Sequence, residues 1–349
     1  MAGGGSVALR HTEEESWLLM GIPATMRALQ QTSRNGPQDM RLLTDAPVPS
    51  PGTGEVLLRV AAAGVNFADI SKAHGTFRDG PRPPYLAGFE AAGEIVAVGG
   101  AVTGAQPRAH VVGVGSGAFA EYVVLPAAAA MPVPPGWTDR QALGLVVNWP
   151  TALAALRHLG GVTEGQTVLV HAAAGATGQA AVTVAKHVGA TVIATASPDK
   201  HETVTASGAD HVLDSRRADI AAEVLRLTGG VGVDVVLESA GGATFEASLA
   251  AAKRVTGRVV VTGLAGGRAA ITNWDLVYRH QVHVIGFNLG VLIEAAPQIF
   301  AAVMVELSTL VTAGVLAPGR PTVYDLADGP KALAELESRS TVGKLALVP

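Results

Sequence analysis

Two glycines three residues apart, Gly175 and Gly178, stand in the stretch TVLVHAAAGATGQAAVTVAKHVGATVIATASPDK, residues 167–200. Glycines let a backbone come close to a pyrophosphate, and the N–H groups that open a helix favour negative charge. The turn Gly175-Ala176-Thr177-Gly178 is therefore a candidate phosphate cradle. Its match to G-x-G-x-x-G is imperfect, because Ala173 stands where the first glycine belongs. In a chain with 42 glycines an ordinary tight turn would show the same spacing. The flanking elements decide, since the motif carries meaning mainly between a strand and a helix.

Which dinucleotide such a cradle takes is set at the end of the second strand. An NAD site places Asp or Glu about 20 residues past the glycines, to accept the ribose hydroxyls. Thr195-Ala196-Ser197 occupies that place here, and Lys200 follows. Ser197 can donate to a 2′-phosphate and Lys200 can neutralise it, whereas a carboxylate would repel it. Asp199 dissents, but Pro198 before it marks it as opening the next helix. The alternative for Lys200 is a solvated helix lysine. NADPH is the expected cofactor.

Metal and thiol chemistry have little to work with. The chain has no cysteine, which excludes disulfides, a thiol nucleophile and a thiolate metal site. His280-x-x-His283 is the one close histidine pair, and the pattern predicts a strand there, on which residues three apart point to opposite faces. A metal-free protein is expected.

The elements that must position these residues follow from periodicity. Residues 167–172 form an apolar, β-branched run with the pattern of a buried parallel strand. A helix is predicted from about 177 to 188, stopped by Gly189, and a second strand at 191–196 completes a βαβ unit. A helix around 151–159 precedes it. Strands near 210–213, 233–238, 255–262 and 282–287 alternate with helices near 218–227 and 243–252, the doubly wound signature. Beyond these the pattern predicts a long helix at 295–312, a short strand at 322–324, a helix near 328–337 and a last strand at 344–348. Residues 24–148 read instead as β-rich, with strands at 55–63, 92–98 and 118–125, frequent turn signals and no helical periodicity. That suggests a compact antiparallel, barrel-like domain. Residues 1–23, Gly-rich with an acidic cluster, read as a flexible leader.

Composition bounds the partners. At 349 residues two domains are expected, each able to bury a core. Twenty-five basic against 29 acidic residues, with no basic block and 4% aromatic content, give nothing to hold a nucleic acid. Mean hydropathy is high at +0.34. The uncharged run 166–185 is nearly long enough to span a bilayer, but its Thr, His, Gln and glycines suit the βαβ unit better. Glu13, Glu14 and Glu15 sit where a signal peptide would carry its apolar core. A cytoplasmic protein without a membrane partner is expected.

Several stretches together resemble the zinc-free quinone oxidoreductase and enoyl reductase branch of the medium-chain dehydrogenase/reductase superfamily. GVNFADI, residues 64–70, is similar to the segment G-[VL]-N-x-x-D. GFEAAGEIVAVG, residues 88–99, is similar to the G-x-E-x-x-G signature, and HAAAGATGQAAVTVAKHVGA to the glycine motif. SGADHV, ESAGG, VVVTGLAG and the closing ESR and GKLALVP follow in order, so the resemblance covers about residues 26–349. It implies an α/β protein, with an NADPH-binding Rossmann domain of doubly wound parallel sheet at 149–291. A β-rich, barrel-like (GroES-like) catalytic domain would comprise 24–148 and 292–349.

The resemblance also assigns residues. Gly175, Ala176, Thr177 and Gly178 would hold the pyrophosphate. Ser197, Lys200 and Arg339 would hold the 2′-phosphate, with Ser215 in place of a tyrosine that packs near it. Gly263, Leu264, Phe287 and Leu289 would line the nicotinamide pocket. Asn66 and Thr151 would sit near the reacting ring, orienting the carboxamide or polarising a substrate oxygen; a turn residue before a helix, and an N-cap, are their alternatives. Three departures stand out. Asn66 and Phe89 occupy the places of Cys and His metal ligands, and the four-cysteine lobe is missing. Phe77 replaces a tyrosine that is a candidate proton donor. Arg108-Ala109-His110-Val111 replaces a G-D-R-V turn.

The implied activity is NADPH-dependent hydride delivery to a small molecule, a quinone or other activated conjugated acceptor. A quinone tolerates the loss of a tyrosine acid, because its phenolate products, with pKa about 10, take protons from water. An enoyl reductase of polyketide or lipid assembly, and a nicotinamide-binding protein with little catalysis, are the alternatives. The relatives' pairing mode implies a homodimer through the strand at 282–287.

Overall fold

The computed structural model describes residues 21–349 apart from Ala218. The expected leader falls almost wholly on residues 1–20, outside the described residues. The chain divides into two units. One runs up to Leu143 and includes Val323–Leu333 and Ala346–Pro349; the other comprises Gly144–Thr322 and Ala334–Leu345. The return to the first unit therefore comes at 323, whereas residue 292 is the expectation from sequence.

The first unit is built from β1 (Thr25–Gln31), β2 (Met40–Pro47), β3 (Glu55–Val65), β4 (Tyr85–Leu86), β5 (Glu90–Val98), β6 (His110–Val114), β7 (Tyr122–Pro126) and β8 (Met131–Pro132). Its helices are α1 (Phe67–Ala73) and α2 (Asp139–Ala142). β3 and β5 pair antiparallel along most of their length, with register shifts at Leu57/Leu58 and Val60/Ala62 that bend the ribbon. Val56, Leu58, Ala92 and Ile95 from these two strands are buried. Each such aliphatic side chain contributes about 1.5–3 kcal/mol when removed from water, alanine less.

The second unit opens with α3 (Asn148–Leu153), which runs into a π-helical turn at Ala154–Leu159. Then follow β9 (Thr167–Val170), α4 (Ala176–His187), β10 (Thr191–Ala196), α5 (His201–Ala206), β11 (His211–Asp214), α6 (Ile220–Leu227), β12 (Val235–Glu238), α7 (Ala243–Ala251), β13 (Arg258–Val261) and β14 (His283–Gly286). The six strands lie in the order β11-β10-β9-β12-β13-β14, and every pair is parallel. The order reverses at β9/β12, and ligands bind outside the carboxyl ends of strands at such a switch point. α4 turns Gly178, Ala180, Ala181, Val182, Val184 and Ala185 inward. Small residues on that face let the helix lie close to the sheet.

The chain ends with α8 (Leu289–Ala295), α9 (Pro297–Thr312), β15 (Thr322–Asp325), α10 (Gly329–Glu337) and β16 (Leu345–Val348). β16 lies between β15 and β3 in the seven-stranded sheet of the first unit.

Three expectations from sequence need correction. The segment expected to be free of helix contains α1 and α2, and α1 carries an Asn66–Asp69 capping box that marks its start. β1 and β2 precede the strands expected there. The long helix expected at 295–312 is present as α9, and a further helix, α8, precedes it at a bend of 118°, where Pro297 has no N–H to continue α8. His280 closes a π-helical turn (Asp275–His280) rather than lying on the strand with His283, and Gln281 between them is left-handed at φ 48.

Candidate functional site

In the second unit the glycine turn links β9 to α4. Gly175 caps α4 without a side chain, so none competes for the first-turn amides. A Cβ on Gly175 would meet only the Ala172 carbonyl, at 3.5 Å, so the space in front of the helix is open. Gly178 differs: a Cβ there would lie 2.4 Å from the Ala172 oxygen and 2.6 Å from the Ala173 Cα. That glycine is what lets helix and strand close up, while the open side at Gly175 suits an anion. The loop is braced from the chain's return, since the Gly343 N–H donates to the Ala174 carbonyl at 2.8 Å. The Thr177 hydroxyl accepts from Asn148 Nδ2 at 3.0 Å, and Lys344 Nζ donates to Asn148 Oδ1 at 3.0 Å.

Ser197 and Lys200 follow β10, and Ser215 follows the neighbouring β11, its N–H bonded to the Ala196 carbonyl at 2.9 Å. The structure thus brings these three together at the carboxyl end of the sheet. Lys200 is not a solvated lysine: it is 8% exposed, and its ammonium donates to the Arg339 carbonyl at 2.6 Å and the Thr341 carbonyl at 2.8 Å. Burial pulls its pKa down, against the opposing charge of Asp199. Two of three ammonium donors are used, which leaves one for an anion. Asp199 opens a 3-10 turn, as expected, and the Ser197 hydroxyl holds its carboxyl below the usual range. Arg216, which sequence reasoning passed over, pairs with Asp199 at 3.1 Å. Arg339 is left-handed at φ 59 and its guanidinium donates to the Ala265 carbonyl at 2.8 Å, so it braces a neighbouring loop.

That loop follows β13 and begins at Gly263, where a Cβ would stand 2.1 Å from the Ser239 oxygen. Leu264 is 58% exposed, Phe287 is buried with its N–H on the Val261 carbonyl, and Leu289 opens α8 half-buried. Two buried polar residues at the strand ends were not singled out from sequence. Glu238 accepts from the Ala240 and Gly241 N–H groups and the Ser248 hydroxyl, each at 2.6 Å. His171 bonds Thr195 Oγ1 through Nδ1 at 3.0 Å, while its buried Nε2 has no hydrogen-bond partner. A polar residue ending an apolar strand, as in TVLVH and VVLE, is the signal that could have found both.

Burial pushes the His171 pKa down, with Glu238 opposing. The folded protein therefore holds His171 neutral, and the unfolded chain binds a proton with pKa about 6.5. This contribution to stability is complete above that pH and is lost as pH falls below it, by at most about 1.4 kcal/mol per unit. Denaturant titrations of His171→Asn should show a shallower decline from pH 6.5 to 5 than those of the parent. An unchanged slope would remove His171 as its source.

In the first unit, Asn66 is 7% exposed and caps α1. Its Nδ2 donates to Glu90 Oε2 at 2.8 Å and to the Gly64 carbonyl at 3.2 Å, and its N–H to Asp69 Oδ2 at 2.9 Å. Both amide protons are thus engaged inside the unit. Thr151 is not an N-cap: Val147 precedes α3, and the Thr151 hydroxyl donates to the Val147 carbonyl at 2.6 Å. With its proton committed, it can accept a hydrogen bond from a carboxamide but has none to polarise a substrate oxygen. A cavity of about 390 Å³ is lined by Asp69, Lys72, Tyr85, Gly88 and Ser116 among others. Among the described residues no three His, Asp or Glu side chains group to hold a metal. No single helix there is long and apolar enough to cross a membrane, although α8 and α9 together reach that length across their bend.

Known proteins match this arrangement. Residues 176–308 match the family model described as zinc-binding dehydrogenase, and residues 52–135 the one described as alcohol dehydrogenase GroES-like domain. Prostaglandin reductase-3 of Bos taurus is 40% identical over 250 residues, which is 70% of this chain and 65% of that protein. The match thus spans just under two thirds of that relative's length. The synaptic vesicle membrane protein VAT-1 homolog of Rattus norvegicus is 31% identical over 344 residues, covering 93% of this chain and 84% of that one. The crystal structure of Escherichia coli quinone oxidoreductase complexed with NADPH superimposes with a TM-score of 0.85 at 28% identity, over 93% of this chain and all of that one.

Proposed function

The chain belongs to the medium-chain dehydrogenase/reductase family, and from that premise we propose that it is an NADPH-dependent reductase of a quinone or other activated conjugated acceptor. The observation that supports this best is the pairing of two features. An uncapped, open helix N-terminus stands at Gly175, and the buried ammonium of Lys200 ends β10, where an NAD site would carry a carboxylate. Gly175, Ala176, Thr177 and Gly178 would hold the pyrophosphate. Ser197, Lys200, Ser215 and Arg216 would hold the 2′-phosphate, with Arg339 as a brace. Gly263, Leu264, Phe287 and Leu289 would line the nicotinamide site. NADPH, when bound, supplies a hydride. The protein's own task is to orient the acceptor, exclude water and stabilise the negative charge that develops on the acceptor oxygen.

The test is a screen of NADPH oxidation, followed by absorbance, against quinones, enals and enoyl thioesters. Turnover of quinones with NADPH above the rate without acceptor is expected. A protein that binds NADPH but consumes it with none of these would overturn the reading.

We also propose that two copies pair through β14. It is the edge strand of the six-stranded sheet, and Val284 on it is 37% exposed. An unpaired apolar edge invites another strand. Light scattering at micromolar concentration should give twice the 35.4 kDa of one chain; the single-chain mass alone would reject the pairing.

A further inference from the structure

Thr177 is the second residue of α4, so its side chain stands among the N–H groups that open the helix. Behind it, within the second unit, runs a chain of two hydrogen bonds. Lys344 Nζ donates to Asn148 Oδ1 at 3.0 Å, and Asn148 Nδ2 donates to Thr177 Oγ1 at 3.0 Å. An ammonium has donors only, so the Asn148 atom that faces it has to be the carbonyl oxygen. Lys344 thereby fixes which way round the Asn148 amide lies. The amide nitrogen is left for Thr177, whose oxygen accepts.

The direction of this chain decides what Thr177 can do. A helical threonine commonly donates to the carbonyl four residues back, as Thr151 does to Val147 and Thr183 to Gln179. Thr177 makes no such bond, and among the described residues nothing accepts its proton. The residue is half-buried, and the space before Gly175 at the start of the same turn is open. The far end of the chain is pinned as well. Lys344 is 9% exposed, and Gly343 beside it, left-handed at φ 65, gives its N–H to the Ala174 carbonyl at 2.8 Å. Gly343 also forms a parallel bridge with Gly175. Lys344 is therefore held by the turn that its own hydrogen bonds serve.

We propose that Lys344 and Asn148 are positioning residues for the cofactor, which keep the Thr177 hydroxyl as a donor to an oxygen of the pyrophosphate. This rests on the reading of the second unit as an NADPH site and names what orients its turn. A hydroxyl free to rotate offers an anion its lone pairs as readily as its proton. One whose oxygen already accepts from Asn148 has its proton to offer, so the orientation is set before the ligand arrives. A hydrogen bond to an ionised phosphate oxygen is of the strong, charge-assisted kind. The pyrophosphate is common to NADPH and NADH, so this contact adds affinity for both and no preference between them, unlike one from Lys200.

The test measures binding to the full chain by fluorescence titration and needs no turnover. Thr177→Val should weaken NADPH and NADH alike, roughly tenfold or more. Adenosine 2′-phosphate, which lacks the pyrophosphate, should compete with NADPH equally well on wild type and variant. Thr177→Ser keeps a hydroxyl and should recover most of the loss. Lys344→Met should weaken both dinucleotides roughly five- to tenfold, yet less than twofold in a Thr177→Val background, where no hydroxyl is left to orient. If Lys344→Met does not fold, Asn148→Asp decides. Its carboxylate keeps Lys344 as a partner but can only accept, so it draws the Thr177 proton to itself, and its cost should likewise shrink in Thr177→Val. Equal losses in the two backgrounds would make Lys344 and Asn148 packing residues and overturn the proposal. So would a Thr177→Val that binds both dinucleotides as wild type does. A wild type that binds NADPH yet reduces no acceptor would overturn the reductase reading and leave the positioning role standing; one that binds neither dinucleotide would overturn both.

Discussion

Replacing Glu238 with alanine should lower the melting temperature by roughly 10 °C, a loss of about 3–5 kcal/mol. The carboxylate is fully buried and satisfies three donors, the N–H groups of Ala240 and Gly241 and the hydroxyl of Ser248. Alanine would strand the two N–H groups, while the Ser248 hydroxyl keeps the Thr244 carbonyl at 2.8 Å, and a buried donor without a partner costs about 1–3 kcal/mol. The damage should spread. The Gly242 N–H bonds the Gly267 carbonyl at 3.1 Å, and the Gly266 N–H bonds the Ala240 carbonyl, so the loop after β13 rests on the one Glu238 anchors. Glu238→Gln keeps one acceptor oxygen but turns an amide toward a donor, and should fall between. Thermal denaturation followed by circular dichroism measures both. A shift under about 3 °C for Glu238→Ala would show that the loops hold without the carboxylate.

Lys200→Ala should cut NADPH affinity by about ten- to a hundredfold, since a charge-assisted contact contributes roughly 1.5–3 kcal/mol. The buried ammonium also ties the Arg339 and Thr341 carbonyls, so part of any loss could come from loosening that segment. The ratio of affinities separates the two causes. Loosening weakens NADPH and NADH alike, whereas loss of a 2′-phosphate contact weakens NADPH alone. Titration of cofactor fluorescence on wild type and variant gives all four constants. Equal affinity of the wild type for both cofactors would refute the assignment of Lys200 to the 2′-phosphate.

Much of this was legible in the sequence because periodicity and motif agree in the second unit. The β-branched runs at β9, β10, β12 and β13, and the glycine turn before α4, are local signals, and the parallel order follows from their alternation with helices. The losses are of two kinds. Some signals were present but outvoted: the Asn66–Asp69 capping box was hidden in a segment read as β-rich. Others are not local. Which carbonyls Lys200 finds depends on residues about 140 positions away. The Lys72 ammonium lies over the rings of Phe77 and Phe89, and neither ring announces itself by spacing. Arg339 has the right charge for a phosphate, and that one of its five donors goes to the Ala265 carbonyl is a choice that only packing makes.

The place of β16 in the sheet bears on how the chain is made. It lies between β15 and β3, yet β3 ends at Val65 and β16 begins at Leu345. At about 5–20 residues per second a ribosome needs roughly 15–60 s to cover that interval. Throughout it the nascent β3 waits for that neighbour, presenting backbone donors and acceptors to any extended chain nearby. The sheet of the first unit is completed only after the whole of the second unit's sheet has been made. Slow synthesis or crowding on a polysome should therefore burden this unit more than the second, whose six strands lie within residues 167–286.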